Sequence, residues 1–572
     1  HSVYGSGSFV SEDGTSLTLH QPDGLTLAPA TLGDVQVSGA RTYSPDAAYT
    51  YRGTGVTGAA LPATVRTLTI GDGGTRTLSQ PLAVRRLLTL DGAGHLLLNG
   101  QLLTLRSDAS GQAMLVNRGT GRVQGTATVE RFLAPTFTTA VGYHHLSSPV
   151  QAAPVSDLTC AGFAPVVNPA YNTAANPAAV RPQPTVFGYD ESRLPANGDF
   201  SSGYFSPAAP STPLLSGRGY STYISTNRTP DFVGTLTQDD VPLTLTRTGT
   251  TSKSGWHLLG NPFAAPLCWD SVPVPPGLNG AIWVWQSTGG TSGQYLTRVN
   301  GVGPLPGGLL AVGQGFFAEA TAPVAFTLPS AARVADAVSP ALNRAASTAP
   351  TALRLTLTGS NGAPDEAAVY FHAAATPGFD AALDAARSAP NVGAPTLALG
   401  AATGEALAVS ALPESALTTG TTVPLLLTVP APGLWTLAAP DLAALHGTPA
   451  TLTDALTGTR YDLAHQPTVS FQAAQAGDIR GRFALEIGAR ALGNSAFPIP
   501  HSSFTLFPNP AHGTVRLSGP AAGQPVQVLD ATGRVVRTLT PPAATADLPL
   551  AGLAPGVYVV RAGGAMRRLV VE

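Results

Sequence analysis

FTLFPNPAHGTVRLSG (504–519), PVQVLDATGRVVRTLT (525–540) and ADLPLAGLAPGVYVVRAGGAMRRLVVE (546–572) close the chain and show its fold class most plainly. Apolar residues recur at alternate positions: Val515 and Leu517, Val526 and Val528, Val557 and Val559, Leu569 and Val571. Val535 and Leu539 continue the pattern at a wider spacing. Period-two spacing bounded by Gly, Pro and Asp is that of short antiparallel strands with one buried face. Asp530 to Gly533 reads as a turn, with Gly where positive φ is tolerated. The stretch predicts a β-sandwich of about 70 residues, near the lower size limit for an independent core.

Its motifs also form an ordered set. Pro508, Asn509 and Pro510 come first, then the ATGRVV turn at 531–536, then LAPGVYVV at 553–560 with Gly556 and Tyr558. A basic-then-apolar ending follows in Arg567, Arg568, Leu569 and Val570. In this order the motifs resemble the C-terminal sorting domain of the bacterial type IX secretion system. The resemblance covers about an eighth of the chain and departs from the family mildly, with Arg567–Arg568 where Lys is usual. It implies export to the periplasm on a signal peptide, then passage across the outer membrane directed by this domain. The place of work would be the outer surface of a Gram-negative cell or its surroundings, with the secretion machinery as a partner. In that family the domain is often cleaved and the cargo fixed to surface lipopolysaccharide.

At 572 residues the chain should hold about three to five domains. With 63 glycines, 51 prolines and only 11% charged residues, turns are frequent and long helical periodicities scarce, which points to an all-β chain of tandem domains. Hydrophobic residues make up 43%, enough for real cores and too many for disorder. A net charge of −2 gives no basic footprint for nucleic acid. No apolar run reaches the roughly 18 residues that span a bilayer. His1 is read as a mature N-terminus left by signal cleavage.

Residues 1–130 carry brief x-L-x-L pulses: Leu68 and Ile70, Leu82 and Val84, Leu88 and Leu90, Leu96 and Leu98, Leu103 and Leu105. Gly, Asp and Asn punctuate them, which suits a β-solenoid with inward apolar ladders; a short-strand sandwich is the alternative. Four strings then recur in order. GYHHLSSPV (142–150) matches GWHLLGNPF (255–263), TVFGYD (185–190) matches AIWVWQ (281–286), SGYF (202–205) matches SGQYL (292–296), and LLSGRGYSTYIS (214–225) matches LLAVGQGFFAEA (309–320). They predict two copies of one β-module, over 131–235 and 240–335. Residues 350–490 read as an Ig-like sandwich with one helix candidate, FDAALDAAR at 379–387, and 491–503 as a linker. Modules of this kind ahead of such a tail are similar to the C-terminal halves of many large type IX surface proteins.

Candidate chemistry is sparse. Cys160 and Cys268, the only cysteines, each follow the equivalent motif of their copy. An exported chain favours a disulfide between them, stapling the modules if the copies pack about a pseudo-twofold. Trp256, Trp269, Trp283 and Trp285 fall within thirty residues and offer an aromatic platform for sugar rings. A packed core competes with that reading, since the first copy has Phe187 and Tyr189 at the positions of Trp283 and Trp285. His144 and its counterpart His257 suit structural hydrogen bonding better than metal ligation. Neither a G-x-S-x-G elbow, an H-E-x-x-H pair nor a P-loop occurs. The acidic pairs Glu12–Asp13, Asp239–Asp240 and Asp365–Glu366 lack the spacing of a calcium loop.

The sequence therefore predicts a non-catalytic surface protein needing no cofactor or metal. Two roles are open: a subunit of a head-to-tail homopolymer, or a monomeric adhesin binding surface polysaccharide. For the first, an N-terminal arm carrying Val3, Tyr4, Phe9 and Val10 would complete a neighbour's open sheet edge.

Overall fold

The computed structural model describes residues 2–572 apart from 29–31, 134–141, 195–198, 225–228, 335–350, 360–363, 388–390, 392, 489–503, 519–524, 531–532, 544 and 563–564. His1 and the 491–503 linker thus lie outside the described residues. Strands dominate two compact units, His1–Ala489 and Arg490–Glu572. Among the described residues no helix is long and apolar enough to cross a membrane.

The leucine pulses stack as parallel rungs. Ser16–Leu19, Ala48–Arg52, Thr64–Gly71, Leu82–Gly92, Leu103–Leu105 and Thr126–Glu130 follow one another in a single sheet, the last joining its neighbour in parallel. A second parallel sheet runs through Gly55–Val56, Thr75–Thr77, His95–Leu97 and Val123–Gln124. In-register pairing puts like on like: Tyr49 meets Leu68, which meets Leu88, while Val84 meets Leu105 and then Val129, all of them buried. Such ladders make each pulse bury its neighbour's apolar face, which a solenoid needs and no rung achieves alone. Arg76 is also interior, a residue no pattern marks for burial. Its guanidinium donates to the carbonyls of Gln21 (2.9 Å) and Val56 (3.2 Å) and lies 5.3 Å from the centroid of the Tyr51 ring.

The N-terminal arm is the first rung. Val3–Gly5 pairs in parallel with Val35–Val37, and Phe9–Ser11 with Arg41–Tyr43. Phe9 packs on the solenoid core, whereas Tyr4 is 76% exposed and Val3 and Val10 are exposed beside it. The arm is therefore engaged within its own chain. At the opposite end Asp231–Leu236 lies antiparallel on Thr126–Glu130 and closes that edge, carrying one sheet from the solenoid into the first module.

The four recurring strings are strands of two sheets with one topology. Gly142–Leu146, Tyr220–Ile224, Val186–Tyr189 and Tyr204–Phe205 lie side by side in that order. Trp256–Gly260, Gly315–Ala320, Leu278–Gly289 and Ser292–Arg298 repeat the arrangement. A further antiparallel pair accompanies each: Thr126–Glu130 with Asp231–Leu236, and Val241–Leu245 with Val324–Leu328. The first module thus shares its opening strand with the solenoid, five residues ahead of the expected boundary. Reciprocal contacts relate the copies. Ser147 N–H donates to Gly313 O (2.9 Å) and its counterpart Gly260 N–H to Gly217 O (3.0 Å). Glycine is required where the backbones meet: a Cβ on Gly219 would lie 2.3 Å from Leu259 O, and one on the equivalent Gly315 2.8 Å from His145 Cβ. Buried Glu191 ties the copies further. It accepts from Thr246 Oγ1 (2.8 Å), Thr248 N (3.0 Å), Thr248 Oγ1 (3.0 Å) and Gly255 N (3.2 Å).

The expected disulfide is not formed. Although the copies face one another, the two cysteines are not equivalent: Cys160 follows the short helical turn Val155–Leu158, whereas Cys268 precedes Trp269–Ser271. Cys160 exchanges backbone hydrogen bonds with Phe163 (3.0 and 2.8 Å), while Cys268 sits opposite Leu309 in a two-stranded pair. The pseudo-twofold contact runs instead through the 146–147 and 259–260 segments.

Among the described residues the third region is an eleven-stranded sheet around one core, where six or seven strands were expected. It includes a parallel pair, Asp365–Phe371 with Ala406–Leu412. The helix expected at 379–387 is a turn followed by the strand Ala385–Ala386. A single helical bond, Asp384 N–H to Asp380 O (2.8 Å), closes the turn, and the Asp384 side chain competes with further ones by accepting from Asp380 N (2.7 Å) and from Ala411 N (2.6 Å) across the sheet.

In the C-terminal unit, sheets of three and four strands enclose Phe504, Val515, Leu517, Val526, Val528, Leu548, Val560 and Leu569. Strand Gly556–Ala562 takes the opposite phase to the one expected: Val560 and Ala562 are buried, Tyr558 packs on the core, and Val557 is exposed. Val557 to Val560 are apolar in both phases, so alternation alone cannot choose between them.

Candidate functional site

The structure separates the four clustered tryptophans. Trp256, Trp269 and Trp283 are buried, and each indole N–H donates to a carbonyl: to Ser252 O (3.1 Å), Gly280 O (3.0 Å) and Ala386 O (2.9 Å). They are core. Trp285 alone lines a cleft, of about 210 Å³, between the two modules. Tyr143, His145, Tyr171, Phe187, Tyr204 and Ser221 come from the first copy, Trp285 and Tyr295 from the second.

Strand register explains why a cleft opens here. In the first copy His145 lies opposite Ser221, and Ser221 opposite Phe187. The same row of the second copy holds Leu258, Phe317 and Trp283, which fill the space between that module and the third region. Exchanging Phe317 for Ser221 and Leu258 for His145 removes bulk from one copy, and the surrounding rings become walls. Trp285 and Tyr295 are direct cross-strand partners, with ring centroids 4.9 Å apart. Tyr171 and Phe187 meet edge to face at 5.2 Å. Trp285 also stacks with His145 at 6.4 Å. Sequence reasoning missed seven of these eight residues. The signal was present in the aligned copies, as polar residues on a strand face that is apolar in the other copy.

The cleft carries no charge. Burial, with a smaller contribution from His144, pushes the His145 ring down to about 3, so it is neutral at physiological pH. Burial likewise raises the Tyr143, Tyr171, Tyr204 and Tyr295 hydroxyls, which keep their protons. Two polar atoms of the lining, His145 Nδ1 and Trp285 Nε1, are buried and have no hydrogen-bond partner. Ser221 is the backbone partner of His145 across the sheet and makes no bond to its Nδ1. A neutral folded imidazole has a testable consequence. Between pH 6.5 and about 3 the unfolded chain takes up a proton that the folded ring refuses. Stability is therefore lost as pH falls through that window, by at most about 1.4 kcal/mol per pH unit. Imidazole NMR signals of His145 should stay those of the neutral ring at pH 4; a transition near 6 would contradict the burial.

Several other polar candidates are engaged structurally. His257 Nε2 lies 2.8 Å from Thr246 O. Asp239 pairs with Arg122, Asp365 with Arg387 (2.9 Å) and Glu366 with Arg354 (2.5 Å). Among the described residues no three His, Cys, Asp or Glu side chains gather to hold a metal ion.

In the C-terminal unit the motif residues form a clamp. Asn509 Nδ2 donates to Arg568 O (2.6 Å) and Asn509 Oδ1 accepts from Val570 N (2.8 Å), so its amide pairs with the last strand as another strand would. Ala511 N–H extends the contact to Val570 O (2.9 Å). Leu569 is buried beneath, while Arg568 points outward and is exposed. Residues 505–571 match the family model for the secretion system C-terminal sorting domain. The tail is a type IX sorting domain. It marks the protein for export to the cell surface or the extracellular space. No curated protein matches the chain. Among solved structures, PorZ of Porphyromonas gingivalis, an essential bacterial surface component of the type IX secretion system, matches at 21% identity and a TM-score of 0.12. That match covers 15% of this chain and 14% of PorZ.

Proposed function

We propose that this exported protein is a non-catalytic binding protein, with the aromatic cleft between its duplicated modules as the recognition site. The observation that carries the reading is the cleft itself: one copy of a duplicated sheet has exchanged core residues for smaller and polar ones, and rings of both copies wall the space. The support is rigid, because one nine-stranded sheet joins the solenoid to the first module and reciprocal bonds lock the copies. Catalysis fits less well, since a histidine held neutral down to about pH 3 is a weak base. Of the two roles open from the sequence, the monomeric adhesin is favoured over the homopolymer, because the arm meant to donate a strand is a rung of its own solenoid. A saturation-transfer NMR screen of neutral, cationic and anionic small molecules against the full chain tests the site. Hits should lose their signal in Trp285→Ala while the variant melts like the parent. A screen without hits, or hits indifferent to that substitution, would overturn the reading.

A further inference from the structure

Resting on that reading, we infer that the ligand of the cleft is a single neutral pyranose ring, its apolar face on the aromatic walls and a hydroxyl on Trp285 Nε1–H and His145 Nδ1. Stacking alone would accept any flat or soft ligand, so the polar atoms decide. All four other indole N–H groups of the chain donate to carbonyls, that of Trp435 to Ala431 O at 3.2 Å. Trp285 is the exception, and the imidazole stacked against it has an unpartnered nitrogen too. Buried donors without acceptors are costly and rare in native proteins. A ligand oxygen that reaches them recovers that cost on binding.

Sugar hydroxyls suit the pair because each both donates and accepts, so one group satisfies the indole N–H and either tautomer of a neutral imidazole. A quaternary ammonium, the other common guest of aromatic cages, has no lone pair and would face an N–H edge of like polarity. An acidic sugar would need a cation, and none of the eight lining residues supplies one. Size agrees: about 210 Å³ lies below the roughly 300–1,000 Å³ of drug-sized pockets and suits one ring. Both polar atoms are closed to solvent without ligand, so the sugar reaches them only as side chains of the cleft wall, the half-buried Trp285 among them, shift.

Titration of the ¹⁵N-labelled full chain with neutral methyl glycosides, choline and glucuronate tests the inference. The Trp285 indole signal, assigned by its loss in Trp285→Phe, should move with at least one neutral glycoside and with neither charged compound. Trp285→Phe keeps a ring and removes the N–H, and should weaken glycoside binding about tenfold, the order expected for one hydrogen bond. A melting curve establishes that this variant is folded, and the parent titration needs no substitution. Choline or glucuronate binding with glycosides silent overturns the inference and leaves the cleft a binding site. Silence from every compound, together with an empty screen, removes both. Glycoside binding unchanged in Trp285→Phe overturns the hydrogen-bond assignment on which the choice of sugar rests.

Discussion

A chain lacking residues 504–572 is expected to accumulate in the periplasm, with surface display falling to background. The sorting domain is a compact unit with its own core, and its motif residues lie where that unit is tied together. Its removal leaves the buried core of the first unit intact, so loss of display would report addressing and not misfolding. Asn509→Ala is the finer version. It withdraws the amide that pairs with Arg568 O and Val570 N, loosening the open edge of the last strand without shortening the chain. Protease treatment of intact cells, followed by fractionation, gives the answer directly. Display of the truncated protein at the parental level would show that export is directed from elsewhere in the chain.

Glu191→Ala is expected to destabilise the paired modules by about 2 kcal/mol, the order of cost for leaving neutral donors without their acceptor. Burial raises the Glu191 carboxyl, but bonds from Thr246, Thr248 and Gly255 outweigh it and hold the group below its ordinary value of 4.5. With alanine, the backbone N–H groups of Thr248 and Gly255 lose a buried acceptor. Glu191→Gln keeps the shape but turns an NH₂ toward donors, and should fall between the two. The sign of the pH effect follows from the lowered value: the carboxylate's contribution is present above 4.5 and is lost as pH falls through the folded value. Both variants should therefore lose part of the parent's sensitivity to acid. Tryptophan fluorescence suits the measurement because Trp256 and Trp269 lie in the copy that Glu191 grips. A fall in midpoint of about 5 °C is expected. Midpoints within a degree of the parent would mean the contact is not a latch.

The elements legible in the sequence were those whose signal lies within a strand or between like strands. Leucine pulses marked the rungs because a parallel stack asks the same residue class of each one, as the Leu68–Leu88 and Val84–Leu105 pairs show. Recurring strings marked the modules because equivalent strands keep equivalent burial. The sorting motifs were readable as an ordered set of short strings, whereas the contact of Asn509 with the last strand, some sixty residues on, appeared only in the fold. Other features depended on partners far away in the chain. Arg76 is interior because carbonyls of two earlier rungs surround it. Residues 379–387 fail to form a helix because Asp384 finds Ala411 across the sheet. The cysteines stay apart because the pseudo-twofold falls elsewhere, and Val557 faces out because either phase of its strand is apolar. The cleft is the clearest case. Trp283 and Trp285 look alike on one strand, yet one is core and the other lines a cavity. The difference is what each meets: Trp283 packs with Phe317 against the third region, whereas Trp285 looks across the cleft to His145 and Ser221 of the other copy. Alternation states that a side chain has an inner face, and only the fold supplies what that face meets.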